Sequence, residues 1–201
     1  MMAIRRPRGD QQLVQIVDAA LADAVRRSGD WLKCRPGCTQ CCVGVFAISQ
    51  LDAARLRDGL EKLERSDPER AERLKKRVAV TRRGLSSGFP GDPATGILDE
   101  TDEAQERFDA FANDVPCPVL DPENGTCDLY ESRPMTCRAF GPPIRTEEGL
   151  GVCELCFQGA TAQQIAECEM EVDPDGLEEK LNEKLEQQSG VHGRTIVTMA
   201  F

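Results

Sequence analysis

"CRPGCTQCCVGVF", residues 34–46, sets four cysteines into nine positions, two of them adjacent. Cys34, Cys38 and Cys41 fall within one turn-rich loop, and Pro36-Gly37 supplies the tight bend that lets their sulfurs converge. Converging thiolates put like charges close together, a costly state unless a metal or an iron–sulfur core offsets it. Neighbouring side chains on an extended backbone diverge. One of Cys41 and Cys42 is therefore expected to serve another centre, to bridge, or to be buried.

Six further cysteines follow: Cys117, Cys127, Cys137, Cys153, Cys156 and Cys168. The first three are ten residues apart, and Cys153-x2-Cys156 has the two-ligand spacing of zinc ribbons that also occurs among iron–sulfur ligands. Pro and Gly recur every few residues from Val115 to Cys156, so no helical period survives there. Within this segment "VLDPENGTCDLY", 119–130, places apolar runs around Asn124-Gly125, a hairpin signal. The segment has too few periodic apolar residues to bury a core, and its conformational entropy must be offset by coordination. A ligand from Cys117, Cys127 or Cys137 is expected to complete the set begun by Cys34, Cys38 and Cys41.

Helices surround this cysteine segment. Leu13, Ile16, Val17, Ala20, Leu21, Ala24 and Val25 recur at helical spacing from Asp10, a plausible N-cap, to about Lys33. "SQLD", 49–52, fits a capping pattern before a second helix. Asp67 then caps a third, with Pro68 at its first position. Over 69–83 only Ala71, Leu74 and Val78 can face a core, so that helix reads as mostly solvated. "GLSSGFPGDPATG", 84–96, reads as a loop, and a short helix with Phe108 and Phe111 on one side is expected over 100–112. Thr161 can open another helix, and Leu177, Leu181 and Leu185 space a last one before the strand-like "RTIVTMAF". The expected fold class is mainly α with a loop-rich, metal-stapled cysteine core and a small β-hairpin, an α+β chain of small sheet content. Its expected divisions are an N-terminal helix over 1–33, a cysteine domain over 34–170 with a helical insertion at about 49–112, and a helix and tail over 171–201.

Composition narrows the function. Of 201 residues 40% are hydrophobic and 30% charged, as in a soluble globular protein, and no stretch reaches the roughly 20 apolar residues of a membrane span. "MMAIRRPRGD" begins like a secretory signal, but the following "QQLVQIVDAA" contains polar residues. These features point to the cytoplasm, where thiols stay reduced and clustered cysteines signify metal or redox chemistry more than disulfides. A net charge of −10 argues against nucleic acid, and Arg5, Arg6 and Arg8 read as a solvated arm. The acidic stretches read as solvated helix faces and leave a protein partner open. His192 reads as a surface histidine. No acid, base and nucleophile set stands out, so whether the chain is an enzyme is left open.

"CRPGCTQCC", then "CPVL", then "CDLYESRPMTCRAFG" resemble the bacterial cysteine-cluster family described as zinc- or iron-chelating. Its hallmark is C-x3-C-x2-C-C followed by Cys-Pro-x-Leu and Cys-x-x-Tyr-x-x-Arg-Pro-x-x-Cys-Arg. The motif falls on Cys34, Cys38, Cys41, Cys42, Cys117, Pro118, Leu120, Cys127, Tyr130, Arg133, Pro134, Cys137 and Arg138, and the resemblance covers 34–156. The candidate metal ligands are Cys34, Cys38, Cys41, Cys42, Cys117, Cys127, Cys137, Cys153 and Cys156. Tyr130, Arg133 and Arg138 are candidates to surround them. An arginine beside thiolates offsets their charge; alternatively Arg133 forms a surface pair with Glu131 or Asp128, and Tyr130 is an ordinary core aromatic. The cofactor is expected to be an iron–sulfur cluster of the 4Fe-4S type, with Zn2+ as the alternative, in an electron-transfer or accessory role. A structural zinc module and a radical S-adenosylmethionine enzyme are the other readings, the last opposed by the lack of alternating strand and helix units.

Overall fold

The structure is a computed structural model describing residues 6–35, 37–146 and 149–201; Arg5 and Pro36 lie outside the described residues. Its elements in chain order are α1 (Asp10–Ser28), β1 (Ala47–Ile48), α2 (Gln50–Ser66), α3 (Pro68–Ser86), β2 (Gly91–Asp92), β3 (Ile97–Leu98), α4 (Asp102–Asp109), β4 (Leu120–Asp121), β5 (Thr126–Cys127), α5 (Met135–Ala139), β6 (Ile144–Thr146), β7 (Gly149–Gly151), α6 (Ala162–Ala166), α7 (Leu177–Ser189) and β8 (Thr195–Ile196). The strands pair antiparallel as β1 with β8, β2 with β3, β4 with β5 and β6 with β7. The fold is thus mainly α with small hairpins.

Two compact units divide the chain, each assembled from separated stretches. The first holds Arg6, Gly37–Pro134 and Asn182–Phe201, and the second holds 7–35 and Met135–Leu181.

The first unit is built on α2 and α3. Ser49 Oγ accepts the Asp52 N–H at 3.1 Å and starts α2, whose first two turns are buried on every side from Gln50 to Leu56. Burial there includes a charge pair, Asp52 with Arg55, neutralised in place. Asp67 Oδ1 accepts from Arg70 N at 3.0 Å to start α3, and Ala71, Leu74 and Val78 are buried as their spacing predicts, with Leu85 added. The core joins Ile48, Leu56, Leu74, Val78, Val119 and Leu129. "RTIVTMAF" supplies β8, in register Ala47↔Ile196 and Ile48↔Thr195, and then tightens into a 3-10 turn over Val197–Met199.

The expected loop over 84–96 is more ordered than its Gly/Pro content implies. Helix α3 runs on to Ser86, and β2 and β3 form a hairpin that depends on Gly91, where a Cβ would stand 2.1 Å from the Ile97 carbonyl oxygen. The helix expected over 100–112 is the shorter α4, opened by Thr101 Oγ1 accepting from Ala104 N. Phe108 and Phe111 join Leu85, Phe89 and Leu98 in a second apolar cluster, Phe111 meeting Phe89 edge-on at 6.1 Å.

In the second unit, Gly9 occupies the cap position of α1 and Asp10 is its first helical residue, buried rather than capping. The helix stops at Ser28, short of Lys33, because Gly29 takes φ +49°. Arg138 Nη1, at the heart of α5, donates to both carboxylate oxygens of Asp18 on α1, at 2.8 and 3.0 Å. Arg27 donates to the carbonyls of Glu167 and Glu169, just beyond α6, which Thr161 and Gln164 open with a reciprocal capping box. Among the described residues no helix is long and apolar enough to cross a membrane.

Candidate metal centre

All ten cysteines are free of disulfides. Cys38, Cys41, Cys42, Cys117 and Cys127 fall in the first unit; Cys34, Cys137, Cys153, Cys156 and Cys168 fall in the second.

In the first unit two backbone devices draw the sulfurs together. A 3-10 turn, Gln40–Cys42, is closed by Cys42 N donating to Thr39 O at 2.8 Å, and the strip after it lies against 115–117: Cys117 N donates to Cys42 O at 2.7 Å, Gly44 N donates to Val115 O at 3.0 Å, and Val43 bridges Pro116. The premise that Cys41 and Cys42 diverge fails here, because the turn is not extended. Their thiols hydrogen-bond each other.

The second device is the β4–β5 hairpin, which forms around Asn124-Gly125 as the sequence predicts. Gly125 takes φ +68°. Asp121 holds the turn, its carboxylate accepting from Glu123 N at 3.0 Å and Asn124 Nδ2 at 2.8 Å. Cys127 sits opposite Leu120 in this ladder, three residues beyond Cys117, so the hairpin returns the chain to the first cysteine of the pair. Across the turn, a Cβ on Gly125 would lie 3.8 Å from Thr39 Cγ2, which sets the Cys38 loop beside the hairpin.

The electrostatics couple these thiols. Donation of the Cys41 thiol to Cys42, then burial, pushes Cys41 far up. Burial raises Cys117, against the pull of the Val119 and Leu120 amides and Arg77, with the Cys41 charge adding to the rise. Cys127 is pushed up to about 11, chiefly by burial and further by Cys117 and Asp128, against the Leu129 amide and Arg133. The backbone thus favours the charged form of two sulfurs whose pKa values burial, chiefly, and neighbouring negative charge raise.

Among the described residues no group of three or more Cys, His, Asp or Glu side chains stands as the ligand set of a metal ion. The donor chemistry nevertheless fits a thiophilic cation. Soft thiol donors that sense one another's charge, with amides directed at two of them, form a site that needs only positive charge at its centre to favour the thiolates.

Arg133 is buried rather than at the surface. Its guanidinium stacks 3.9 Å from the Tyr130 ring centroid and Nη1 donates to Tyr130 O at 2.9 Å. Tyr130 is 56% exposed, so the core reading of this aromatic is overturned: it is covered by Arg133 instead. Asp128, buried, is held by Arg70 and Arg77 of α3, and Arg77 Nε also donates to Pro118 O at 3.0 Å. Both arginines escaped the reading of α3 as mostly solvated. Their seven-residue spacing, which puts them on one helix face beside Leu74 and Val78, was the available signal.

In the second unit Lys33 N donates to Cys156 Sγ at 3.3 Å, and Cys156 N closes a turn onto Cys153 O at 2.8 Å. Cys34 is exposed and lies against Gly141, whose added Cβ would stand 3.2 Å from its Sγ. Cys137 is on α5, next to Arg138, and the guanidinium of Arg138 goes to Asp18. Cys168 is buried with Cys156 and Phe157. His192 is largely exposed and pairs at 3.5 Å with Glu186.

No curated protein and no solved structure matches the chain. Residues 33–157 match the CxxCxxCC family, whose description is "Putative zinc- or iron-chelating domain". With that match covering more than half of its length, and with every cysteine but Cys168 inside the matched segment, the chain belongs to the CxxCxxCC family of zinc- or iron-chelating domains.

Proposed function

We propose that Cys41, Cys42, Cys117 and Cys127 hold one metal centre, that the metal is iron in an iron–sulfur cluster of the 4Fe-4S type, and that the protein serves electron transfer or an accessory role in the cytoplasm. The observation that carries this reading is the backbone pairing of these cysteines: Cys117 N donates to Cys42 O at 2.7 Å, and the β4–β5 ladder sets Cys127 opposite Leu120, three residues from Cys117. The amides that draw the Cys117 and Cys127 thiols downward support it, because N–H donors to cluster sulfur ligands stabilise the thiolates and tune the potential of the bound group. All four donors are thiols with no histidine among them, a set that suits an iron–sulfur cluster as well as zinc, and the cluster is the reading carried here. The ten unbridged thiols are suited to a reducing compartment.

A substrate-processing role has less support. The cavity beside Cys117, lined by residues such as Phe46, Val115, Pro116 and Val197, has a volume of about 20 Å3, room for a water molecule and far below the roughly 300–1,000 Å3 typical of ligand pockets. Cys117 is the one titratable group in its lining.

Anaerobic purification followed by metal and acid-labile sulfide analysis tests the reading. Iron with a matching amount of sulfide is expected, lost in Cys117→Ser. Zinc without sulfide would overturn the cluster and keep the thiolate centre; metal content unchanged in Cys117→Ser and in Cys41→Ser would overturn the centre itself.

A further inference from the structure

The second unit carries its own set of sulfurs, on three stretches of chain that backbone contacts place beside one another. Phe157 N donates to Trp31 O at 2.9 Å and Lys33 N to Cys156 Sγ at 3.3 Å. These two bonds fix the strip 31–34 beside the Cys153–Cys156 turn, one residue from Cys34. The third stretch is the exit of α5. Gly141, four residues after Cys137, takes φ +122°, and a side chain there would press on Cys34, with Cβ 3.2 Å from Sγ and 3.4 Å from Cβ. The ion pair of Arg138 with Asp18 locks α5 against α1, the helix that leads into Cys34.

We propose that Cys34, Cys137, Cys153 and Cys156 form a second metal centre, contained within the second unit and filled independently of the first, for the same thiophilic class of cation, zinc or iron. The proposal rests on the preceding reading only for the class of cation. Four thiols from three stretches meet the donor number of a closed structural site, and Cys153-x2-Cys156 has the spacing of a two-ligand turn. An amide already points at the Cys156 sulfur, as amides do in the first unit. Phe157, immediately after this turn, is held at φ +56°, a conformation costly for a non-glycine residue and concentrated at ligand-holding sites. Access differs within the set of five. Cys34 is exposed and Cys137 and Cys153 are half-buried, open to an incoming ion. Cys156 and Cys168 are both buried in one apolar cluster, but Cys156 shares the turn with Cys153 and receives the Lys33 N–H, whereas Cys168 acts as packing.

The test uses the intact reduced protein loaded with 113Cd, which reports each thiolate environment as its own NMR resonance. Two resonances are expected, with Cys34→Ser removing one, Cys117→Ser removing the other, and each variant halving the bound cadmium. Cys156 is buried and its serine variant risks misfolding, so exposed Cys34 is the primary site, with Cys153→Ser as companion and far-UV circular dichroism as the fold control. If Cys34→Ser and Cys153→Ser both leave the cadmium content and spectrum unchanged, the second centre is overturned while the first stands; a Cys153–Cys156 disulfide on oxidation would then mark a redox pair. If any one variant empties every site, a single shared centre replaces the two. Cadmium unchanged in Cys117→Ser but halved in Cys34→Ser would overturn the first centre and leave the second.

Discussion

Cys117 donates its backbone N–H to the carbonyl of Cys42 at 2.7 Å. A single main-chain bond therefore ties the adjacent cysteines of the first motif to the Cys-Pro-x-Leu turn of the second, 75 positions away in the sequence numbering. The bond sets the spacing of two candidate ligands without using either side chain, so the backbone of the site is defined separately from its coordination.

Metal removal is expected to loosen this region first. Structural thiolate sites contribute on the order of 10 kcal/mol of apparent binding energy, comparable with a domain's whole stability. Hydrogen exchange after chelation should show lost protection at Val119, Leu120 and Leu129, while the amides of α2 and α3, which have their own caps and apolar faces, keep most of theirs. Equal protection before and after chelation would mean that apolar packing alone holds the hairpin.

Asp128→Ala is expected to destabilise the protein by about 2 kcal/mol, less than a fully enclosed ion pair would, because Arg70 and Arg77 keep part of their surface in water. The midpoint of urea unfolding should fall with its slope unchanged. Asp23→Ala, which breaks exposed pairs with Arg26 and Arg27, should move that midpoint hardly at all.

Gly59 lets α2 approach the turn that carries Tyr130 and Ser132. An added Cβ would sit 2.6 Å from both Cβ and Oγ of Ser132, an overpacking expected to cost about 1–3 kcal/mol in Gly59→Ala. Pairing it with Ser132→Gly should restore most of the loss. A double-mutant cycle measures the coupling; strictly additive effects would show that the two residues do not touch.

Glu169 gives a pH readout in the second unit. The hydrogen bond from Arg145, whose Nε donates to Oε1 at 2.8 Å, holds its carboxyl below the usual value and raises the guanidinium. A lowered folded value contributes stability above the ordinary carboxylate range and loses it as pH falls through the lowered value. Both groups are at the surface, so the effect on unfolding is small, and NMR titration is the better measure. Arg145→Gln should shift the Glu169 titration upward; an unmoved titration would dissolve the pair.

What was legible in the sequence followed local rules. Ser49, Asp67 and Thr161 mark helix starts by side-chain chemistry that acts over three residues, and Asn124-Gly125 marks its hairpin in the same way. Ala71, Leu74 and Val78 reveal a buried face by period alone. The cysteine motif shows the family and its class of metal. The division of the thiols between units was not legible, because Cys34 and Cys38 are four residues apart and nothing local says that the chain changes units between them. The exposed Tyr130 was missed for a related reason: its cover is a stacked arginine, and composition cannot tell an aromatic covered by a cation from one buried in a core. Asp10 fits a cap by residue type, while Gly9 takes the position, packed against Leu181.

The pairing of β1 with β8 joins residues about 150 positions apart, and it has a consequence for the order of synthesis. At roughly 5–20 residues per second, Cys41 and Cys42 leave the ribosome about eight to thirty seconds before Thr195 and Ile196 arrive to brace the strand that follows them. Throughout that interval the nascent chain carries bare thiols with no finished scaffold. The first unit is therefore complete only once β8 has been made, and until then its thiols sit on a half-made polypeptide.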